Sequence, residues 1–184
     1  LTITAAPQLG SIGIYRCVWN ETWLSCSASV EDPNLTALIA AANDVDQYAD
    51  DGMETWIDTA YDQGTSLNAN DYHVQVNLRN AVVTYQGADT PLTLGAGFAS
   101  AVTLTGSLND ASDNDTGYTL EWKIAWADMS TVPHSGLVLG FNISLNARNQ
   151  AENAQTSWTG AFNTPSLWGT LTLGDIPAGA RGAS

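Results

Sequence analysis

Glu54, Trp56, Gln75 and Arg79 supply a carboxylate, an indole, an amide and a guanidinium within 26 residues. Charged acceptors make the stronger hydrogen bonds to hydroxyl groups, and aromatic faces cover C–H surface by dispersion. That mixture suits a polar ligand with apolar patches, such as a sugar. Spacing decides whether the groups share a surface. Asp50-Asp51-Gly52 reads as a turn, and Met53 to Asp58 then alternates. Met53, Thr55 and Ile57 point one way, and Glu54, Trp56 and Asp58 the other. In a second alternating stretch, Tyr72, Val74, Val76 and Leu78 form the apolar row, and His73, Gln75, Asn77 and Arg79 the polar one. In a third, Leu137, Leu139, Phe141, Ile143 and Leu145 oppose Val138, Gly140, Asn142, Ser144 and Asn146. Three strands with one dry and one wet face predict a sheet laid over a core. A solvated sheet face without a ligand gives the same alternation.

Other groups bound the chemistry. Nineteen acids against five basic residues give a formal net charge of −14. Such a surface repels nucleic acid and anionic membrane. It is compatible with calcium, which takes several oxygen ligands at about 2.3–2.6 Å. The candidates are Asp50, Asp51, Asp58, Asp62 and Asp71, with Asp110, Asp113 and Asp115 in a later loop. No EF-hand spacing is present, and solvated acidic loops would look the same. Catalysis of glycoside hydrolysis would need two carboxylates about 5–10 Å apart, for which Glu54, Asp58 and Glu121 are available. No nucleophile motif, phosphate-binding Gly-rich loop or His-bearing metal motif occurs. A haem would need a Met and a His brought together from Met53, Met129, His73 and His134. Cys17 and Cys26 flank a short turn; with residues 21 and 22 at its tip they lie opposite each other, which admits a cross-strand disulfide. Two free thiols are the alternative.

The elements that position these groups are short strands between turn signals. Ile12–Trp19 and Trp23–Val30 read as a hairpin, and Leu35–Ala42 as a loop or one helical turn. Asp44–Asp51 is acidic and irregular. Further strands are expected at Val82–Gln86, Ala99–Gly106, Tyr118–Trp126 and Leu167–Leu173, with a polar loop from Ala147 to Asn163. Almost no helical periodicity appears. The pattern predicts an all-β fold, a single antiparallel β-sandwich with little helix, over residues 1–176. The Gly-rich stretch 177–184 reads as a flexible tail or linker. No apolar run reaches eighteen residues, so no membrane span is expected. With no initiating Met and no signal-like apolar region, the chain reads as a mature or excised domain.

Six motifs, in order, carry a resemblance over nearly the whole chain. They are Trp-Asn-Glu-Thr-Trp-Leu, Asp-Asp-Gly-Met-Glu-Thr-Trp-Ile-Asp, Tyr-His-Val-Gln-Val-Asn, Gly-Tyr-Thr-Leu-Glu-Trp-Lys-Ile-Ala-Trp, Gly-Leu-Val-Leu-Gly-Phe-Asn-Ile-Ser-Leu-Asn, and Trp158 with Pro165-Ser-Leu-Trp-Gly-Thr-Leu-Thr-Leu173. This order resembles the family 9 carbohydrate-binding modules, within the wider DOMON-like sandwich group. The resemblance implies a non-catalytic, monomeric sandwich that binds a glucan- or xylan-type polysaccharide or its oligosaccharides. It also implies attachment to a secreted glycoside hydrolase and, in several members, structural calcium. A sugar clamp is implied at Tyr48, six residues before Glu54, and at Phe162 beside Asn163, with Trp158 as the other candidate. Glu54 is implied as a hydroxyl acceptor. Gln75 falls where the family carries a basic residue, which puts preference for reducing ends in doubt. Trp56 shares the pleat face of Glu54 and is expected to be accessible. A DOMON-like haem domain and a glycoside-acting enzyme are the alternatives.

Overall fold

A strand with one apolar row buries it only against a second layer, and this chain supplies two layers. The computed structural model describes residues 2–4, 10–88, 90–92, 94, 97–149 and 152–176. The expected tail, 177–184, lies outside the described residues. The strands in chain order are β1 (Thr2–Thr4), β2 (Ile12–Trp19), β3 (Trp23–Glu31), β4 (Gly52–Asp58), β5 (Asp71–Asn77), β6 (Val82–Gln86), β7 (Thr90–Pro91), β8 (Ala99–Thr105), β9 (Gly117–Ala125), β10 (Val138–Arg148), β11 (Asn153–Ser157) and β12 (Gly169–Thr172). One sheet runs β1-β2-β3-β9-β8. The other runs β11-β10-β4-β5-β6-β7, with β12 also on β10. Every pairing is antiparallel. Helix among the described residues is confined to short 3-10 turns at Val45–Ala49, Trp126–Met129 and Pro165–Leu167.

The inner rows are those that alternation predicts. Leu24, Val30, Leu120, Trp122 and Ile124 from the first sheet meet Met53, Ile57, Val74, Leu139, Ile143 and Leu145 from the second, all buried. Each such side chain contributes about 1.5–3 kcal/mol relative to exposure. Polar groups join the two sheets inside this core. The Tyr15 hydroxyl lies 2.7 Å from Thr55 Oγ1 and accepts from Trp122 Nε1 at 3.1 Å. Cys17 and Cys26 face each other across β2 and β3 and are bonded, and no described cysteine is free.

Two expectations change. All seven residues of β4 are buried, and in β5 only His73 is partly exposed. The second face of these strands is therefore covered rather than solvated. Trp56 packs with Ala161 and Trp168 and against Leu67 and Phe162, side chains from two loops laid over that face. The supposed loop 147–163 also contains a strand, β11. Its sequence, Asn-Ala-Gln-Thr-Ser, has no apolar row, and it forms as a short edge on β10.

The stretch 35–42 takes neither helix nor strand. Buried carboxylates stitch its backbone instead. Asp50 accepts from the N–H groups of Leu38 and Ile39 at 2.9 and 2.8 Å, and Asp51 from that of Thr36 at 2.5 Å. Asp115 accepts from the N–H groups of Leu35 and Ser107, both at 2.7 Å. These acids supply backbone partners that a regular ladder would otherwise provide.

Candidate functional site

The covered face of the second sheet retains one recess. A cavity of about 590 Å3 is lined by Tyr48, Glu54, Trp56, Gln75, Phe162 and Asn163, among others. Six of the seven sugar-binding candidates therefore meet there. Pairing explains the floor: Glu54 lies opposite Gln75, and Trp56 opposite His73, across β4 and β5. Tyr48 comes from the 3-10 turn Val45–Ala49 and remains exposed. Phe162 and Asn163 come from the loop between β11 and β12. Trp158 does not line the cavity. It is 38 % exposed, and its ring covers Gly169, where an added Cβ would lie 2.3 Å from it.

Glu54, which the resemblance implies as a hydroxyl acceptor, is built into the floor of the cavity. It is 2 % exposed, and protein donors already occupy its carboxylate. His73 Nε2 lies 2.7 Å from Oε2, and Asn146 Nδ2 donates to Oε1 at 2.8 Å. Gln155 Nε2 donates to Oε1 as well. Burial alone would raise its pKa; the hydrogen bond and charge of His73, with the amides of Gln75 and Asn146, outweigh that and hold it below the ordinary glutamate value. Glu54 is thus the hub of the floor.

Trp56 is buried too, at 2 % exposure, which overturns its expected accessibility. Its ring stacks on His73 at 4.4 Å and 9°, and leans on Phe162 at 5.6 Å and 60°. His73 in turn stacks on Tyr85 at 5.8 Å. Two polar atoms of the lining have no hydrogen-bond partner: Trp56 Nε1, a donor, and Gln75 Oε1, an acceptor.

His73, Tyr85 and Gln155 are lining residues the sequence reading did not assign to a sugar site. His73 was legible as a member of the polar row of β5. Gln155 was not, because β11 carries no alternation.

The metal candidates are dispersed. Among the described residues no three acidic, imidazole or thiol groups form a metal-holding cluster. The oxygens of Asp50, Asp51 and Asp115 all accept from N–H groups. Asp110 is bound to Ser112, and Asp113 is exposed. Asp58 and Asp62 accept from backbone and amide N–H groups of the loop that follows β4. Asp71 alone among the candidates keeps a buried oxygen, Oδ1, without a partner.

Geometry rules out one pairing that each alternative offered. Met53 faces the core and His73 the cavity, on opposite faces of one sheet, so they cannot share an iron. Glu54 and Asp58 sit four residues apart on one strand face, about 13 Å along the strand, beyond the 5–9.5 Å that paired glycosidase carboxylates use.

A sandwich with a recess lined by aromatic, amide, carboxylate and imidazole groups has the form of a ligand-binding module. The family model described as carbohydrate family 9 binding domain-like matches residues 3–176. The chain belongs to that family of non-catalytic carbohydrate-binding domains. It is 27% identical over 179 residues to endo-1,4-beta-xylanase A of Thermoanaerobacterium saccharolyticum, covering 93% of this chain. It is 25% identical over 176 residues to exoglucanase XynX of Acetivibrio thermocellus, covering 92%. The match spans only 14% of the length of each relative. A family 9 module from Caldicellulosiruptor kristjanssonii shares the fold. Its glucose complex has a TM-score of 0.68 at 24% identity, covering 92% of this chain and 80% of that one. Its cellotriose complex has a TM-score of 0.69 at 24% identity, covering 95% and 81%.

Proposed function

We propose that the cavity holds a neutral pyranose ring of a glucan- or xylan-type chain, with Tyr48 and Phe162 stacking on it. The observation that carries this reading is the meeting of Tyr48 and Phe162 with the side-chain amides of Gln75, Gln155 and Asn163 around one cavity. Aromatic faces cover the C–H surface of a sugar ring, and amides both donate to and accept from its hydroxyls. Gln155 and Asn163, both exposed, extend the polar rim. Glu54 and His73 orient these groups and take no part in bond cleavage. The sugar-bearing structural neighbours and the names of the longer relatives support a polysaccharide-targeting module of a glycoside hydrolase, and a secreted enzyme is the parent that this reading expects.

The test is calorimetric titration with glucose, cello-oligosaccharides and xylo-oligosaccharides, beside retention on insoluble cellulose and xylan. Binding to a neutral oligosaccharide supports the reading, and silence towards all of them refutes it.

For calcium, the best-placed single ligand is Asp71, whose buried Oδ1 lacks a partner; among the described residues Asp58 and Asp62 form no cluster with it, so backbone and water oxygens would complete the shell. Burial raises the Asp71 pKa to about 6, and the neighbouring charges of Asp58 and Asp62 add to the rise. A divalent cation would relieve that repulsion and give Oδ1 its missing partner. It would brace the loop after β4.

A further inference from the structure

We propose that Asn142 is a positioning residue for the sugar clamp: from below the sheet surface it fixes the loop that carries Phe162. The proposal rests on the sugar-binding reading of the cavity and extends it to a residue outside the lining.

Asn142 lies on β10, directly opposite Trp56 on β4, and is 0 % exposed. Among the described residues, the polar contacts of its side chain go to Ser157, the last residue of β11, and to the loop that follows it. Nδ2 donates to the Ala161 carbonyl and to Ser157 Oγ, the latter at 2.9 Å. Oδ1 accepts from Ser157 Oγ at 3.1 Å and from the Thr159 N–H at 3.3 Å. Ser157 Oγ also accepts from the Gly160 N–H at 3.1 Å. One buried amide thus gathers the segment 157–161, and Phe162 is the next residue.

The far side of Phe162 is pinned as well, by Trp168 Nε1 donating to its carbonyl at 3.1 Å. The anchor is chemically specific. The site demands a donor and an acceptor on one planar group at a buried position. A carboxylate there would set two oxygens against the Ala161 carbonyl, and an alanine would leave buried loop groups without partners. A loop released from this knot must be reordered at each binding event, a cost that appears directly in affinity.

The experiment is a double-mutant cycle with cellotriose as probe, read by NMR titration so that millimolar binding remains measurable. Asn142→Ala should weaken cellotriose binding about tenfold. In a Phe162→Ala background the same change should cost less than about twofold, because the group it positions is gone. In a Tyr48→Ala background it should again cost about tenfold. Ser157→Ala, at a half-buried edge position, opens the same knot if Asn142→Ala folds poorly, and should follow the same pattern more weakly. Hydrogen exchange supplies a reading without sugar: the Thr159–Phe162 amides should exchange faster in Asn142→Ala, with those of β4 unchanged. If the parent does not bind cellotriose but the loop amides respond, the sugar reading falls and the anchoring stands. Equal losses in wild-type and Phe162→Ala backgrounds, or unchanged loop exchange in both variants, would overturn the proposal.

Discussion

Glu54 and His73 are diagonal neighbours on β4 and β5, each directly opposite the other's flanking site-face residue, and their side chains close to 2.7 Å. The contact turns two polar-row residues into one buried unit with Asn146 and Gln155 attached. Glu54→Gln replaces an acceptor with a group that presents an N–H2 to these donors. Cellotriose affinity should fall by about 1.5–3 kcal/mol and stability by about 1–3 kcal/mol. Calorimetric titration and denaturant unfolding check the two effects. Loss of affinity at unchanged stability would mean that the carboxylate meets the sugar directly.

Tyr48 and Phe162 should behave differently from Glu54. Tyr48 is 44% exposed and Phe162 half-buried at the rim. Tyr48→Ala or Phe162→Ala should each weaken binding by roughly 1–3 kcal/mol, by analogy with base–aromatic stacking. Circular dichroism should show an unchanged fold. Full affinity in both variants would place the sugar elsewhere.

Stability should fall as pH rises from 5 to 8. Burial, reinforced by the charge of Asp32, raises the Asp51 pKa from the ordinary 3.8 to about 8, and Asp32 is raised chiefly by burial too. A carboxyl whose folded pKa lies above its unfolded one stabilises fully below the unfolded value. That contribution is lost as pH climbs through the folded value. Glu54 works in the opposite sense, but its depressed pKa confines its effect to pH below about 4.5. Thermal melts at pH 5 and 8 and fixed ionic strength check the sign. Asp51→Asn should flatten the slope. A higher melting temperature at pH 8 would contradict it.

Calcium added to metal-stripped protein should raise the melting temperature, and Asp71→Asn should abolish the response. A melt indifferent to both calcium and EDTA in the wild-type protein would remove the ion from this module.

Breaking the Cys17–Cys26 bond, by reduction or by alanine at both positions, should cost about 2–3 kcal/mol. The closed loop is short, with a separation of nine residues. The register of β2 on β3 should survive, since Leu24, Ala28 and Val30 remain buried in the core. Guanidinium titration of both forms measures the difference.

What could be read from the residues divides along a physical line. Alternation located β4, β5, β6 and β10 to within about two residues, because their inner rows are apolar. It also paired the cysteines correctly once the turn was centred. It could not reveal what covers the second face. Trp56 and Glu54 read as solvated because a pleat fixes only the side on which a group emerges. Trp56 is covered by Ala161, Phe162 and Trp168, and Glu54 is met by Gln155, all more than a hundred residues away in sequence. Gln155 and Asn142 were invisible as site residues for the same reason. Each matters through a partner that only the pairing of β10 with β4 and β11 brings near.

β10 runs for eleven residues, but its second edge is divided between β11, five residues long, and β12, four, with the Phe162 loop leaving from the gap. A continuous partner would present its own long outer edge, the kind of template on which foreign strands add. Two short ladders interrupted by a loop offer no such run. The break that creates the loop also leaves this side of the sheet without a long continuous outer edge.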